Sequence, residues 1–389
     1  MYHGNKYLKS WQVEKIMKER IIKLRNIIIR FIYIGILKPI FFQIDPEKVH
    51  DRILVFGKFF GTNVIMRRFV KLLFYYSHPS LKQEILGINF SNPIGLAAGF
   101  DKNAELTNIL PPVGFGFVEV GSITGDACDG NPKPRLWRLI KSKSLVVYYG
   151  LKNDGAEVIA NRLRNKRFSV PIGISIAKTN NEKTVGLDAG INDYLKAYEE
   201  FSEIGAYYTI NISCPNTFGG QPFTDSISLE KLLVKIDKVK KSKPIFLKLS
   251  PDISRPQIDE ILMLVKNYKI DGFICTNLTK QRDNYFIRDD NVSEQGGISG
   301  KAVAELSNEL IKYIYKKTNG EYVIIGVGGV FTADDAYKKI RLGASLVQLI
   351  TGMIFQGPQS ISEINQGLVE LLKRDGFNSI KEAIGVDNI

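Results

Sequence analysis

The run Tyr207-Tyr208-Thr209-Ile210-Asn211-Ile212-Ser213-Cys214-Pro215-Asn216 alternates β-branched and aromatic residues, then breaks at a proline with Gly219-Gly220 just beyond. It reads as a strand that stops abruptly, with Cys214 on the first turn past its C-terminal end. Two asparagines bracket the thiol, which can act as acid or base once its surroundings move its pKa from about 8.5. Taken alone, Asn211 to Asn216 slightly favours a plainer reading, a buried inert cysteine beside an Asx-type turn. The rest of the chain reverses that order.

Working outward, seven more apolar runs have strand length: Asn92-Leu96, Phe117-Val120, Ile172-Ile176, Ile245-Leu249, Phe273-Thr276, Tyr322-Gly326 and Leu346-Ile350. Helical patterns lie between them at Asn103-Leu110, Asp154-Asn165, Asp193-Ile204, Leu229-Lys241, Gln257-Tyr268, Val303-Thr318 and Thr332-Leu342, with Ile361-Arg374 last. Strands alternating with helices predict a parallel sheet. Eight of them predict an α/β chain closed as a (β/α)8 TIM barrel over residues 88–389, in preference to a doubly wound open sheet.

The predicted strand ends collect polar groups: Ala98-Gly99 with Lys102, Ser122, Ser175 with Lys178, Asn211 to Asn216, Lys248, Thr276-Asn277, Gly326-Val327-Gly328-Gly329 and Thr351-Gly352. The glycine clusters after strands seven and eight stand where this fold holds phosphate on backbone N–H groups, so a phosphate-bearing cofactor is expected. Lys102 and Lys248 have a plain reading as solvated surface lysines. Ile245-Phe246-Leu247 leads directly into Lys248, however, which aims it at the barrel mouth, where a cation stabilises negative charge on a reduced flavin ring.

Composition agrees with a large soluble core: 44% hydrophobic and 24% charged residues in a chain of 389. Cys128, Cys214 and Cys275 are widely spaced and odd in number, which fits a reducing compartment and offers no metal site. The net charge of +13 raises nucleic acid or an anionic membrane surface as partner. Its placement favours the membrane: residues 1–42 hold nine Lys/Arg against two glutamates, a net of +7. Val13, Ile16, Met17, Ile21, Leu24, Ile28, Phe31 and Ile34 recur at helical steps there, too briefly for a spanning helix. A basic amphipathic helix in the membrane interface is one reading, and a helical hairpin docked on its own domain is the other. Asp45-Pro46-Glu47 then caps a further helix, so the chain divides at 1–44, 45–87 and 88–389.

These residues carry a resemblance. Asn92-Pro93-Ile94-Gly95-Leu96-Ala97-Ala98-Gly99-Phe100-Asp101-Lys102, Lys133 to Leu139, Asn211 to Asn216, Gly296 to Gly300, Ile325 to Gly329 and Ile354 to Pro358 resemble, in order, the motifs of the dihydroorotate dehydrogenases. The helices before the barrel resemble the extension of that family's membrane-associated, quinone-reducing class. The resemblance implies oxidation of dihydroorotate to orotate in pyrimidine synthesis, at the cytoplasmic face of the inner membrane. It implies FMN held by Ala98, Gly99, Lys102, Ser122, Ser175, Asn211, Lys248, Thr276, Gly300, Gly329 and Thr351, and substrate met by Lys102, Asn211, Asn216 and Asn277. Cys214 falls on the catalytic base position, and His50 and Arg138 match residues lining the quinone tunnel.

Some positions depart from the family pattern. Cysteine at 214 is typical of the soluble class, whereas the quinone class usually has serine. Val147 stands for an asparagine, Leu278 for a hydroxyl residue, Ser175 for an asparagine and Ile350 for a tyrosine. The extension decides for a quinone acceptor, because one atom separates serine from cysteine and many residues make the extension. A soluble acceptor such as fumarate, or a flavin-binding barrel without this activity, remains the alternative.

Overall fold

The computed structural model describes residues 3–220, 222–239 and 243–388. Helices come before any strand. α1 (His3–Ile32) passes through one π-helical turn at Tyr33–Leu37 into α2 (Lys38–Gln43). The Asp45 carboxylate accepts the Lys48 amide at 2.9 Å and Pro46 takes the first position of α3 (Pro46–Thr62), where a missing N–H is harmless. Asn63 caps α4 (Val64–Phe74).

α1 meets the barrel with its polar side. Lys23 pairs with Glu370 at 3.2 Å, Arg25 and Asn26 donate to the Ser362 hydroxyl, and Tyr33 donates to the Ile354 carbonyl at 2.6 Å. Met17, Ile21, Leu24, Ile28 and Phe31 face outward, Phe31 with 75% of its surface exposed. This inverts the usual amphipathic arrangement. Among the described residues no single helix is long and apolar enough to cross a membrane; Met17–Gln43 with Pro46–Thr62 would suffice only as a pair bent by 119°.

A hairpin of β1 (Gln83–Ile85) and β2 (Ile88–Phe90) follows, and the later strands are β3 (Ile94–Leu96), β4 (Phe117–Ile123), β5 (Leu136–Leu139), β6 (Ser144–Val147), β7 (Ile172–Ile176), β8 (Tyr207–Asn211), β9 (Ile245–Leu249), β10 (Gly272–Cys275), β11 (Gly297–Gly300), β12 (Val323–Val327) and β13 (Leu346–Leu349). β3, β4, β7, β8, β9, β10, β12 and β13 close in parallel into a barrel, as expected. Every residue of β4, β7, β8, β9, β10 and β13 is buried, the property of parallel strands covered on both faces. Phe90 closes the N-terminal end, edge-on to Phe117 at 5.4 Å in a cluster with Tyr207, Phe246, Ile274, Ile325 and Leu346.

β5, β6 and β11 form a separate antiparallel sheet on the C-terminal side, where Gly297 lies against Pro215 and Leu278. The sequence reading did not anticipate it. One expected helix is also corrected. Over Asn103-Leu110 the Asp101 carboxylate takes the Glu105 and Leu106 amides at 2.8 Å each and Ala104 has a φ of 54°, so this segment folds as turns. Helix is confined to α5 (Leu110–Val113), which carries Pro111-Pro112 in its first turn and ends at a left-handed Gly114. The others form close to where expected as α6 (Ala156–Leu163), α8 (Ser226–Lys238), α9 (Arg255–Val265), α10 (Ala304–Lys317) and α11 (Ala333–Arg341), while α7 (Leu187–Glu200) starts and ends earlier than the expected Asp193-Ile204. The short α12 (Thr351–Gln356) precedes α13 (Ser360–Arg374), and the expected helix end at Lys241 lies outside the described residues.

The helical extension is fixed to the barrel by a buried ion pair. Glu47, 4% exposed, accepts from Arg135 at 2.8 and 3.0 Å, and Arg135 also donates to the Asp129 and Asn131 carbonyls. Removing one partner strands a buried charge, so Glu47→Ala should lower stability by about 3–5 kcal/mol in urea unfolding, and Glu47→Leu with Arg135→Met should recover most of that loss.

Candidate active site

Four barrel strands send polar side chains into one interior layer. Glu119 of β4, with no exposed surface, accepts from Tyr207 at 3.3 Å, Thr209 at 3.2 Å and Gln348 at 2.9 Å. Lys248 of β9, 5% exposed, places its ammonium 3.6 Å from the other Glu119 oxygen. Lys248 is thus a buried paired cation, and the surface reading of it fails.

Beside this layer runs a hydrogen-bonded chain. Asn211 donates to Ser122 at 2.8 Å, Ser122 and Ser175 share a proton at 2.7 Å, and Asn277 donates to the Asn211 side-chain oxygen at 3.2 Å and the Ser213 carbonyl at 3.0 Å. Gly99, with a φ of 112°, donates to the Gly121 carbonyl at 2.7 Å, and the Thr276 amide donates to Val327 at 2.9 Å.

The far side is built from glycines. Gly300 and Gly329 have φ of 86° and 71°, and a Cβ on Gly329 would lie 2.3 Å from that of Ala304. Only glycine fits there. Ser299 and Thr351 share a hydroxyl contact at 2.8 Å. Gly329 lies just past β12, and Thr351 and Gly352 open α12, where the first amides have no acceptor within the helix. A cluster of such N–H groups is an anion cradle, so the chain fits a phosphate-bearing cofactor.

Cys214 is half-buried on the loop after β8. Burial pushes its thiol up to about 11, opposed by the Asn216 amide and the charges of Lys248, Lys178 and Lys280. Asn216 donates to the Val147 carbonyl at 2.8 Å, so the apolar Val147 side chain is bypassed by its main chain. Lys102 is half-buried with its ammonium 3.9 Å over the Tyr149 ring. Burial brings it down to about 7, and no carboxylate among the described residues lies within ion-pair distance.

His50 bonds the Phe100 carbonyl at 2.9 Å and packs edge-on to that ring at 5.1 Å. Burial, then the charge of Lys102, lowers its pKa, so the ring is neutral at pH 7. Arg138 donates to the Ile44 carbonyl at 2.7 Å and stacks on Phe42 at 4.7 Å. No hydrogen bond or ring contact joins His50 to Arg138; Tyr149, 6.2 Å from the His50 ring, links His50 to the Lys102 side instead. The sequence reading overlooked Glu119 and Tyr149. A lone acid inside Phe117-Val118-Glu119-Val120 was the signal for the first; nothing marked the second.

A profile of the dihydroorotate dehydrogenase family matches residues 80–372. The protein named dihydroorotate dehydrogenase (quinone) in Trichodesmium erythraeum is 38% identical over 377 residues, which cover 92% of this chain and 99% of that one. Its namesake in Natronomonas pharaonis is 39% identical over 355 residues, 90% of this chain and 98% of that one. A crystal structure of ligand-free DHODH from Eimeria tenella has a TM-score of 0.80 and 31% identity, covering 89% of this chain and all of that one. A closed barrel, a strand-end loop carrying Cys214 between two anchored asparagines, and relatives that align along nearly its whole length place this chain in the dihydroorotate dehydrogenase family, in its quinone-linked class.

Proposed function

We propose that this chain oxidises (S)-dihydroorotate to orotate for de novo pyrimidine (UMP) biosynthesis, with FMN as resident cofactor and a membrane quinone as acceptor. The observation that carries this is the strand-end cluster in which Asn211, in register with Lys248, bonds Ser122 and Asn277, in the same barrel as the glycine turns after β12 and β13. FMN would supply the redox chemistry there, as an acceptor of the substrate's electron pair and its donor to the quinone. Gly300, Gly329 and Thr351 would hold its phosphate, and Ala98, Gly99, Lys102, Ser122, Ser175, Asn211, Lys248 and Thr276 its ring system.

Asn211, Asn216 and Asn277 offer amide groups that match the ring amides of dihydroorotate, and Lys102 supplies a cation for its carboxylate. Cys214 takes the proton from the carbon beside the ring carbonyl. With the thiol near 11, only about one molecule in ten thousand holds a thiolate at pH 7, so the reaction gains from every step that eases loss of that proton. His50 and Arg138 border the quinone end.

Residues 45–87 form the quinone-tunnel extension in this reading, and residues 1–44 rest on the anionic, cytoplasmic face of the inner membrane. The outward apolar residues of α1 continue into Val55, Phe56 and Phe59 of α3 and Ile65, Phe69 and Leu72 of α4, all exposed. An exposed surface of that extent marks an interface with lipid or protein, and the basic charge of the segment matches anionic headgroups. Nucleic acid has no comparable support. Cys214 favours a second reading, with a soluble acceptor such as fumarate; the apolar surface favours quinone.

Three measurements test this. Cys214→Ala should keep its flavin and slow single-turnover flavin bleaching by dihydroorotate by roughly 10²–10⁴-fold, while in the parent the rate should climb about tenfold per pH unit until it levels near the thiol pKa. Equal bleaching in Cys214→Ala would return Cys214 to the inert reading. For Lys102, an anion raises a pKa that starts near 7, so binding requires proton uptake above that pH. Orotate affinity should be flat below pH 7 and weaken by up to about tenfold per unit above it, and a flat titration to pH 9 removes Lys102 as carboxylate partner. Replacing Ile21, Ile28 and Phe31 together by serine should weaken partition onto anionic vesicles by at least about tenfold without changing the barrel, since each loses a side chain worth about 1.5–3 kcal/mol when buried.

A further inference from the structure

Lys178 stands two residues beyond the end of β7, is 4% exposed, and has no carboxylate within ion-pair distance among the described residues. Its ammonium donates to the Phe218 carbonyl at 3.0 Å, and the Phe218 amide donates to the Asn180 side chain at 2.7 Å. One short segment thus grips both main-chain groups of Phe218, four residues after Cys214. Lys178 and Cys214 also line the same small cavity, with Tyr194, Asn211, Thr217 and Phe223. Asp193, the nearest acid, is occupied elsewhere: it accepts the Thr179 amide at 2.6 Å, the Thr179 hydroxyl at 2.8 Å and the Gly125 amide at 3.3 Å.

We infer that Lys178 is a positioning residue for Cys214, anchoring its loop through Phe218 and supplying the buried positive charge against which the thiolate forms. This rests on the reading of Cys214 as the base. A buried ammonium bonded, among the described residues, to one carbonyl is poorly compensated, and an anion arising in the same cavity compensates it. The other groups facing the thiol serve this less well. Lys248, from β9, already has Glu119; Lys280, from the loop after β10, is exposed and screened; the Tyr194 phenol, from α7, donates to the Asn211 carbonyl and is held protonated by burial. Burial lowers the Lys178 pKa while Asp193 and Cys214 raise it, the direction expected if lysine and thiol stabilise each other's charged forms.

Two variants separate charge from anchoring. Lys178→Gln retains an N–H donor for the Phe218 carbonyl and loses the charge; Lys178→Arg retains the charge. In flavin-loaded protein, the pH dependence of Cys214 alkylation by iodoacetamide, read by peptide mass spectrometry with Cys214→Ser as blank, should move up by about one unit in Lys178→Gln and stay in place in Lys178→Arg. The pH profile of flavin bleaching by dihydroorotate should move with it. An unchanged alkylation midpoint in Lys178→Gln overturns the inference whatever happens to the rate. So does an equal shift in both variants, since loop geometry would then be the cause. A shifted alkylation profile with an unshifted bleaching profile keeps the pairing of Lys178 with Cys214 and removes Cys214 as base, so the two readings fail separately.

Discussion

A carboxylate with no exposed surface at the centre of an eight-stranded ring is the constraint on which the site depends. Glu119 reaches it from β4 and is satisfied only by groups on three other strands: Tyr207 and Thr209 on β8, Lys248 on β9 and Gln348 on β13. Since side chains alternate across a strand, a slip of one residue in any of these would turn its partner outward and leave the charge unpaired. The cost of an uncompensated buried charge, several kcal/mol, exceeds what one apolar contact returns. Register in half the barrel is therefore set electrostatically, and Lys248 is held from beneath before any ligand arrives.

That constraint also shows where sequence reading succeeds and where it stops. The eight barrel strands were legible because parallel strands covered on both sides are written as unbroken apolar runs. The strand ends were legible for the same reason, as the first polar residues after each run. Glu119 was not: it lies inside such a run, and only three-dimensional closure shows which residues meet it. The sheet of β5, β6 and β11 escaped because Leu136-Trp137-Arg138-Leu139 and Gly297-Ile298-Ser299-Gly300 are not unbroken apolar runs, and Asn103-Leu110 misled because helical spacing was overridden by one aspartate bonding two backbone amides.

The apparent conflict between Cys214 and the N-terminal extension softens in the folded protein. A free thiol loses its proton far more readily than a hydroxyl, which is why the two residues suggest different acceptor classes. Burial moves the Cys214 thiol up to about 11, as it would move up any hydroxyl placed there. The residue behaves as a reluctant acid whose proton leaves only with help from neighbouring charge, the condition a serine would face in the same place. Class is then set by what surrounds the barrel, and the extension is held there by the buried Glu47–Arg135 pair.

The docking of α1 has a kinetic corollary. Tyr33, in the π-turn after α1, donates to the Ile354 carbonyl, and its ring sits so close to Gly357 that a Cβ there would lie 2.7 Å from it, so the helix cannot swing without disturbing the turn after α12. A barrel lying on a bilayer through the outer face of such a helix has one orientation relative to the lipid. An acceptor dissolved in that bilayer then finds it by lateral diffusion, a two-dimensional search whose relevant concentration is quinone per lipid. Added empty lipid would dilute the acceptor and slow turnover even at constant total quinone, a surface-dilution behaviour that a freely tumbling barrel would not show.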